Sequence, residues 1–243
     1  MNAFLQDARH VFKLDPAKFI TDDDLEAVCE SGTDAVIVGG TDHVTLDGVL
    51  DLLMRIRRYS VPCGLEISSM EAITPGFDAY LIPMVMNSRD KKWMMDIQHQ
   101  AIKAYKDLIN WNDMAVEGYC ILNEDAKAFQ YTNCDLPDHD DVVAYAYMAE
   151  HMFHLPIFYL EYSGMYGDEE LVQEVREQLC HTQLVYGGGI ASKAQAREMT
   201  KHADTIVVGN LIYLDIGEAL QTVEAVNTEN IARGGDKRAS DNA

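Results

Sequence analysis

A closed (β/α)8 TIM barrel is the fold this sequence predicts, and three observations predict it. Eight apolar runs recur along 243 residues with helical segments between them, the alternation that builds a parallel sheet covered by helices. The length matches one barrel domain and is enough to bury a large core. The last two runs both end in glycine: Leu184–Ile190 reads LVYGGGI and Thr205–Asn210 reads TIVVGN. Such barrels hold phosphate between the loops after strands seven and eight. Consecutive glycines let bare N–H groups approach a ligand, and a helix opening just beyond adds unpaired donors and partial positive charge. Glycines that only make tight turns are the alternative; the paired arrangement favours phosphate.

The elements follow in order. His10–Asp15 is a short first strand, and Asp22–Ser31 a helix closed by Gly32. Ala35–Gly40 is a β-branched strand, and Thr45–Arg58 a helix with the basic end that a C-terminus prefers. Cys63–Ser68 and Ala79–Asn87 are strands three and four. Only Ser69–Asp78 separates them, with Pro75 and Gly76 inside, too short and broken for a crossover helix. The third helix is therefore expected to be replaced by a loop or extended segment. A long helical stretch at Asp90–Asn110, strand Ala115–Asn123, helix Asp138–Phe153 and strand Ile157–Gly164 come next. Helix Asp168–Leu179, strand Leu184–Gly189, helix Ser192–His202, strand Thr205–Leu211 and helix Asp215–Val226 complete the pattern. Residues 1–227 form one domain; the polar tail, 228–243, is expected to be disordered.

Composition narrows the function. With 40 acidic against 19 basic residues the chain carries a formal charge of −21, which argues against nucleic acid as a partner and against broad docking on anionic lipid. Five cysteines without a CxxC pair indicate neither a disulfide frame nor a zinc site, and fit a reducing cytoplasm. The N-terminus MNAFLQDARH lacks a signal pattern, and no apolar run is long enough to span a bilayer. His151 and His154 suit exposed or capping roles better than metal binding.

Strand C-termini converge on the active face of a barrel. Lys13 and Asp15, two apart, share a side of the first strand. Lys13 suits a phosphate and Asp15 a divalent ion, with Thr41 as a neutral oxygen ligand; a Lys13–Asp15 ion pair that merely closes the barrel is an equal alternative. Tyr159, Glu161 and Ser163 share a face of the sixth strand, and Glu161 suits a general base toward a substrate hydroxyl. A Glu bonded only to neighbouring strands is the alternative, but inward barrel positions are normally Val, Ile or Leu. Leu81–Met86 and the following Trp93, Met94, Met95, Ala101, Ile102 and Tyr105 form a Met-rich apolar region. It reads as ordinary core unless the substrate has a long hydrocarbon tail.

HVFKLDP at 10–16, ESGTDAVIVGGT at 30–41, PGFDAYLIPMVMNS at 75–88, EGYCILN at 117–123, LPIFYLEYSGMYGD at 155–168, LVYGGGI at 184–190 and DTIVVGN at 204–210 together resemble the heptaprenylglyceryl phosphate synthase family, the bacterial branch related to archaeal geranylgeranylglyceryl phosphate synthases. The resemblance spans about residues 8–226. It implies a Mg2+-dependent prenyltransferase that joins a polyprenyl diphosphate to the C3 hydroxyl of sn-glycerol 1-phosphate and releases diphosphate. It implies that Lys13, Tyr159, Leu160, Glu161, Tyr162, Ser163, Gly164, Gly189, Gly209 and Asn210 bind glycerol 1-phosphate, and that Asp15 and Thr41 serve magnesium. The Met-rich region, with Met84, Ala101 and Tyr105, becomes the prenyl groove, where a small residue at 101 leaves room for a long tail. A cytoplasmic homodimer with transient membrane contact is expected. Two rivals remain. A sugar-phosphate isomerase barrel would need two acid/base groups, which Asp15 and Glu161 could imitate; a non-catalytic phosphate or lipid binder would need no turnover.

Overall fold

Each of the eight apolar runs forms a strand, and all but the fourth (Ala79–Val85) and the start of the fifth bury nearly every residue. A computed structural model describes residues 4–240 of the chain, with side chains as far as residue 229. In chain order the elements are β1 (His10–Leu14), α1 (Asp22–Glu30), β2 (Ala35–Val38), α2 (Leu46–Ile56), β3 (Cys63–Glu66), β4 (Ala79–Val85), α3 (Ile97–Tyr105), β5 (Met114–Ile121), α4 (Lys127–Tyr131), α5 (His139–Tyr147), β6 (Ile157–Glu161), α6 (Glu169–Gln178), β7 (Gln183–Gly187), α7 (Lys193–Met199), β8 (Thr205–Val208), α8 (Leu211–Leu214) and α9 (Ile216–Ser240). All strands run parallel in sequence order, and β8 pairs with β1 through His10–Ile206, Val11–Val207 and Phe12–Val208, so the sheet closes.

Alternation along the strands divides the core in two. Val11, Ile37, Leu81, Tyr159, Val185 and Val207 point into the barrel. Phe12, Leu14, Val36, Val38, Phe158 and Leu160 point outward beneath the helices. Helix starts follow side-chain capping. Thr21 accepts from the Asp24 N–H, Thr45 from Gly48 and Ser192 from Gln195, while Asp138 and Asp141 form a reciprocal capping box. Thr45, Asp138 and Ser192, expected as first helical residues, therefore stand just outside.

Between β3 and β4 there is only a 3-10 turn at Met70–Ala72, as the Pro75–Gly76 break predicts. The stretch expected as one helix over Asp90–Asn110 divides into a π-helical segment at Lys92–Asp96 and α3, and neither buries a residue. The segment after α5 is likewise π-helical, Met148–Phe153. Both α4 and α8 are short helices that the apolar pattern did not announce. The final helix passes the expected end at Val226: Thr228 and Glu229 are helical, and Glu229 pairs with Arg197 at 3.3 Å. Glu229 thus has a tertiary partner that its polar composition concealed, which corrects the expectation of disorder there. Residues 241–243, and the side chains of 230–240, lie outside the described residues.

One buried group makes folding pH-dependent. His10 is 1% exposed, with its ring nitrogens 2.9 Å from the Thr33 and Thr222 hydroxyls. Burial pushes its pKa down to about 3 from 6.5. A folded-state pKa below the unfolded one contributes stability above pH 6.5 that is lost as pH falls toward 3. Between pH 7.5 and 4.5 the wild type should lose about 2–3 kcal/mol more than His10→Gln, measured by urea unfolding. Equal losses in the two proteins would refute this.

Candidate active site

The C-terminal strand tips enclose a cleft of about 540 Å3. Its lining brings together Lys13, Asp15, Thr41, Tyr159, Glu161, Ser163, Gly164, Gly189, Gly209 and Asn210, ten of the positions singled out from sequence. It adds Lys18, Asp42, Glu66, Tyr119 and Lys127.

The glycine end is built by backbone approach. Gly189 has φ +60°, and a Cβ there would stand 2.1 Å from the Tyr166 nitrogen and the Met165 carbonyl carbon. Only glycine lets the loop after β7 lie against the loop after β6. Ser163 and Gly164 both have positive φ, and Gly164 faces the Asn210 side-chain amide. The tips of β6, β7 and β8 thus meet around one pocket. Lys18 reaches into it, donating to the Asn210 Oδ1 at 2.8 Å with its ammonium 5.0 Å from the Tyr213 ring centre. Across the mouth, Lys127 at the start of α4 pairs at 2.7 Å with Asp42 of the loop after β2.

The opposite wall carries interior charge. Lys13 Nζ lies 2.8 Å from both carboxylate oxygens of Glu66. The partner of Lys13 is therefore Glu66 and not Asp15. Burial works against the Lys13 charge, but Glu66, Glu161 and Glu117 outweigh it and raise its pKa. Glu161, 8% exposed, is held by three donors: the Ser163 N–H at 2.6 Å and hydroxyl at 3.0 Å on Oε1, and the Tyr119 hydroxyl at 2.7 Å on Oε2. It bonds to a neighbouring strand and also lines the cleft, so the two readings of this residue coexist. Below it, Glu117 is fully buried, and neither carboxyl oxygen has a hydrogen-bond partner among the described residues. Desolvation, reinforced by Glu66, raises its pKa well above the usual carboxylate value.

Five sequence-derived positions fall outside the lining. Leu160 and Tyr162 alternate with Tyr159 and Glu161, so their side chains enter the outer core beneath the helices. Along the expected binding run 159–164, alternate side chains face the cleft, and Leu160 and Tyr162 turn theirs into the outer core. Met84, Ala101 and Tyr105 stand on the flank between β4 and α3. There Gln98 of α3 donates to the Pro83 carbonyl at 2.9 Å, and Met95, Ile102 and Tyr105 are exposed. A helix that buries nothing leaves the apolar flank of β4 partly uncovered.

The donor set suits a hard divalent ion. Asp15 offers a carboxylate whose Oδ1 already accepts the Ala17 N–H, and Thr41 is an exposed hydroxyl at the same rim. Magnesium takes few protein ligands of this kind and fills its shell with water and substrate phosphate oxygens. Away from the cleft, Glu169, Glu198 and His202 bring ligand-type atoms within 4.8 Å of one another, but Glu198 is engaged by Lys201 at 2.6 Å.

Comparison with known proteins adds to this geometry. The model of the PcrB family matches residues 3–227. The heptaprenylglyceryl phosphate synthase of Oceanobacillus iheyensis is 66% identical over 218 residues, 89% of this chain and 95% of that protein. The one from Geobacillus sp. is 63% identical over 220 residues, 90% of this chain and 96% of that protein. Among solved structures, the (S)-3-O-geranylgeranylglyceryl phosphate synthase of Thermoplasma acidophilum in complex with sn-glycerol-1-phosphate superposes with a TM-score of 0.81 at 21% identity, over 92% of this chain and 95% of that one. At that identity the likeness concerns the fold.

Proposed function

The chain belongs to the PcrB family, and from that premise we propose that it transfers a heptaprenyl group from heptaprenyl diphosphate to the C3 hydroxyl of sn-glycerol 1-phosphate. The C3 oxygen bonds to C1 of the prenyl chain, the C1–O bond to diphosphate breaks, and the hydroxyl proton leaves. The products are heptaprenylglyceryl phosphate and diphosphate. The observation that carries this reading is one cleft in which a three-donor-held carboxylate, Glu161, faces glycine-built loops from β6, β7 and β8.

The phosphate of the glycerol substrate fits between Ser163–Gly164, Gly189 and Gly209–Asn210, with Lys18 adding positive charge. Glu161, two residues before Ser163, is placed to take the C3 proton. Magnesium, held by Asp15 and Thr41, would neutralise charge growing on the diphosphate leaving group. Lys13 stands beside that rim. The tail runs out along the β4 flank past Met84, Ala101 and Tyr105, where apolar side chains keep it from water. The enzyme acts as a cytoplasmic homodimer that touches the membrane transiently to collect its lipid substrate; among the described residues no helix is long and apolar enough to cross a membrane.

Two measurements test this. Incubation with glycerol 1-phosphate, Mg2+ and a ladder of prenyl diphosphates should give a prenylglyceryl phosphate, sized by mass, with stoichiometric diphosphate and no turnover after chelation. Isomerised sugar phosphate, or binding without diphosphate release, would favour the rivals. Ala101→Trp should shorten the preferred prenyl chain by at least one isoprene unit; an unchanged product ladder would place the length stop elsewhere.

A further inference from the structure

We propose that Tyr119 is a positioning residue for the Glu161 carboxylate, and this rests on the reading of Glu161 as the base. Tyr119 lies on β5, opposite Tyr159 of β6 in the strand register, and is 6% exposed. Its hydroxyl donates to Glu161 Oε2 at 2.7 Å. The Lys13 ammonium donates to the Tyr119 hydroxyl oxygen at 3.5 Å. A phenol that accepts from an ammonium aims its own proton at the carboxylate, since the ammonium has no lone pair to receive it. Charge on Lys13 also polarises the O–H bond and strengthens what it donates.

The ring cannot turn away. It stacks on Tyr159 with centroids 4.6 Å apart and planes 20° from parallel. Tyr159 is itself pinned: a Cβ at Gly187 would stand 2.2 Å from its hydroxyl, so β7 presses directly on that ring. Tyr119 is thus a rigid post between two fixed neighbours. With Ser163 holding Oε1, the post fixes the remaining torsion of the carboxylate. A base must meet its proton at about 2.6–3.2 Å, and small misplacements cost orders of magnitude in rate.

Tyr119→Phe keeps the ring stack and removes the post. Turnover at saturating substrate should fall at least 10-fold, while KM for glycerol 1-phosphate changes less than twofold. The acid limb of kcat against pH should move to higher pH, because a carboxylate that loses a donor holds its proton more tightly. The groups facing Glu161 in the barrel are Lys13, Glu66, Glu117, Tyr159 and Ser163, all retained in the variant. In a Glu161→Gln background, Tyr119→Phe should cost nothing further. If Tyr119→Phe fails to fold, 3-fluorotyrosine at 119, a stronger donor of the same shape, should move the acid limb to lower pH instead. Unchanged kcat in Tyr119→Phe, a fall in kcat with an unmoved acid limb, or full additivity with Glu161→Gln would overturn the proposal. Normal turnover in Glu161→Gln itself would instead overturn the reading of Glu161 as the base, so the two failures are distinguishable.

Discussion

Glu161→Gln should lower kcat by about 10²- to 10⁴-fold, the range expected for losing a general base. The substitution is nearly isosteric, and the Ser163 N–H and hydroxyl can still donate to the amide oxygen where they now meet Oε1. The amide nitrogen then faces the Tyr119 oxygen, which can accept. Binding of glycerol 1-phosphate should therefore persist, within a few-fold by calorimetry, while transfer stops. That division separates a catalyst from a protein that only binds: a pure binder loses nothing, because it has no turnover to lose. Full activity in this variant would remove the acid–base role and leave alignment of the two substrates as the main source of rate.

Gly189→Ala should have the second large effect. The left-handed conformation costs a non-glycine residue about 1–2 kcal/mol. The larger cost is steric, because the new methyl would lie 2.1 Å from the backbone of Met165 and Tyr166. The backbone of two loops must separate, whereas a flexible side-chain tip could simply swing aside. The loops after β6 and β7 are the ones proposed to cup the phosphate, so the loss should appear first in substrate binding. KM for glycerol 1-phosphate should rise at least 10-fold, with a lower thermal midpoint. A variant with unchanged KM and unchanged midpoint would show that these loops part freely and that the phosphate is held elsewhere.

The main features of this molecule were legible in its sequence for local reasons. Strand periodicity placed Tyr159, Glu161 and Ser163 on one face, since alternation is a property of the extended chain itself. The glycines at 187–189 announced close approach because glycine alone permits it. Pro75 and Gly76 announced that no helix could join β3 to β4. Each of these signals lies within a few residues of its consequence.

What the tertiary structure decided lies across the barrel. Lys13 finds Glu66 at a separation of 53 residues, Tyr119 finds Glu161 at 42, Lys127 finds Asp42 at 85 and Lys18 finds Asn210 at 192. No periodicity encodes such pairs, because closure of the sheet sets which strands are neighbours and where each tip lies. Closure strips water from Glu117, and the helix layer strips it from His10, raising the pKa of the first and lowering that of the second. Composition and pattern determined which residues face the same way along each strand; only the closed barrel determined which of them meet, because partner choice and desolvation belong to the assembled sheet rather than to any segment of it.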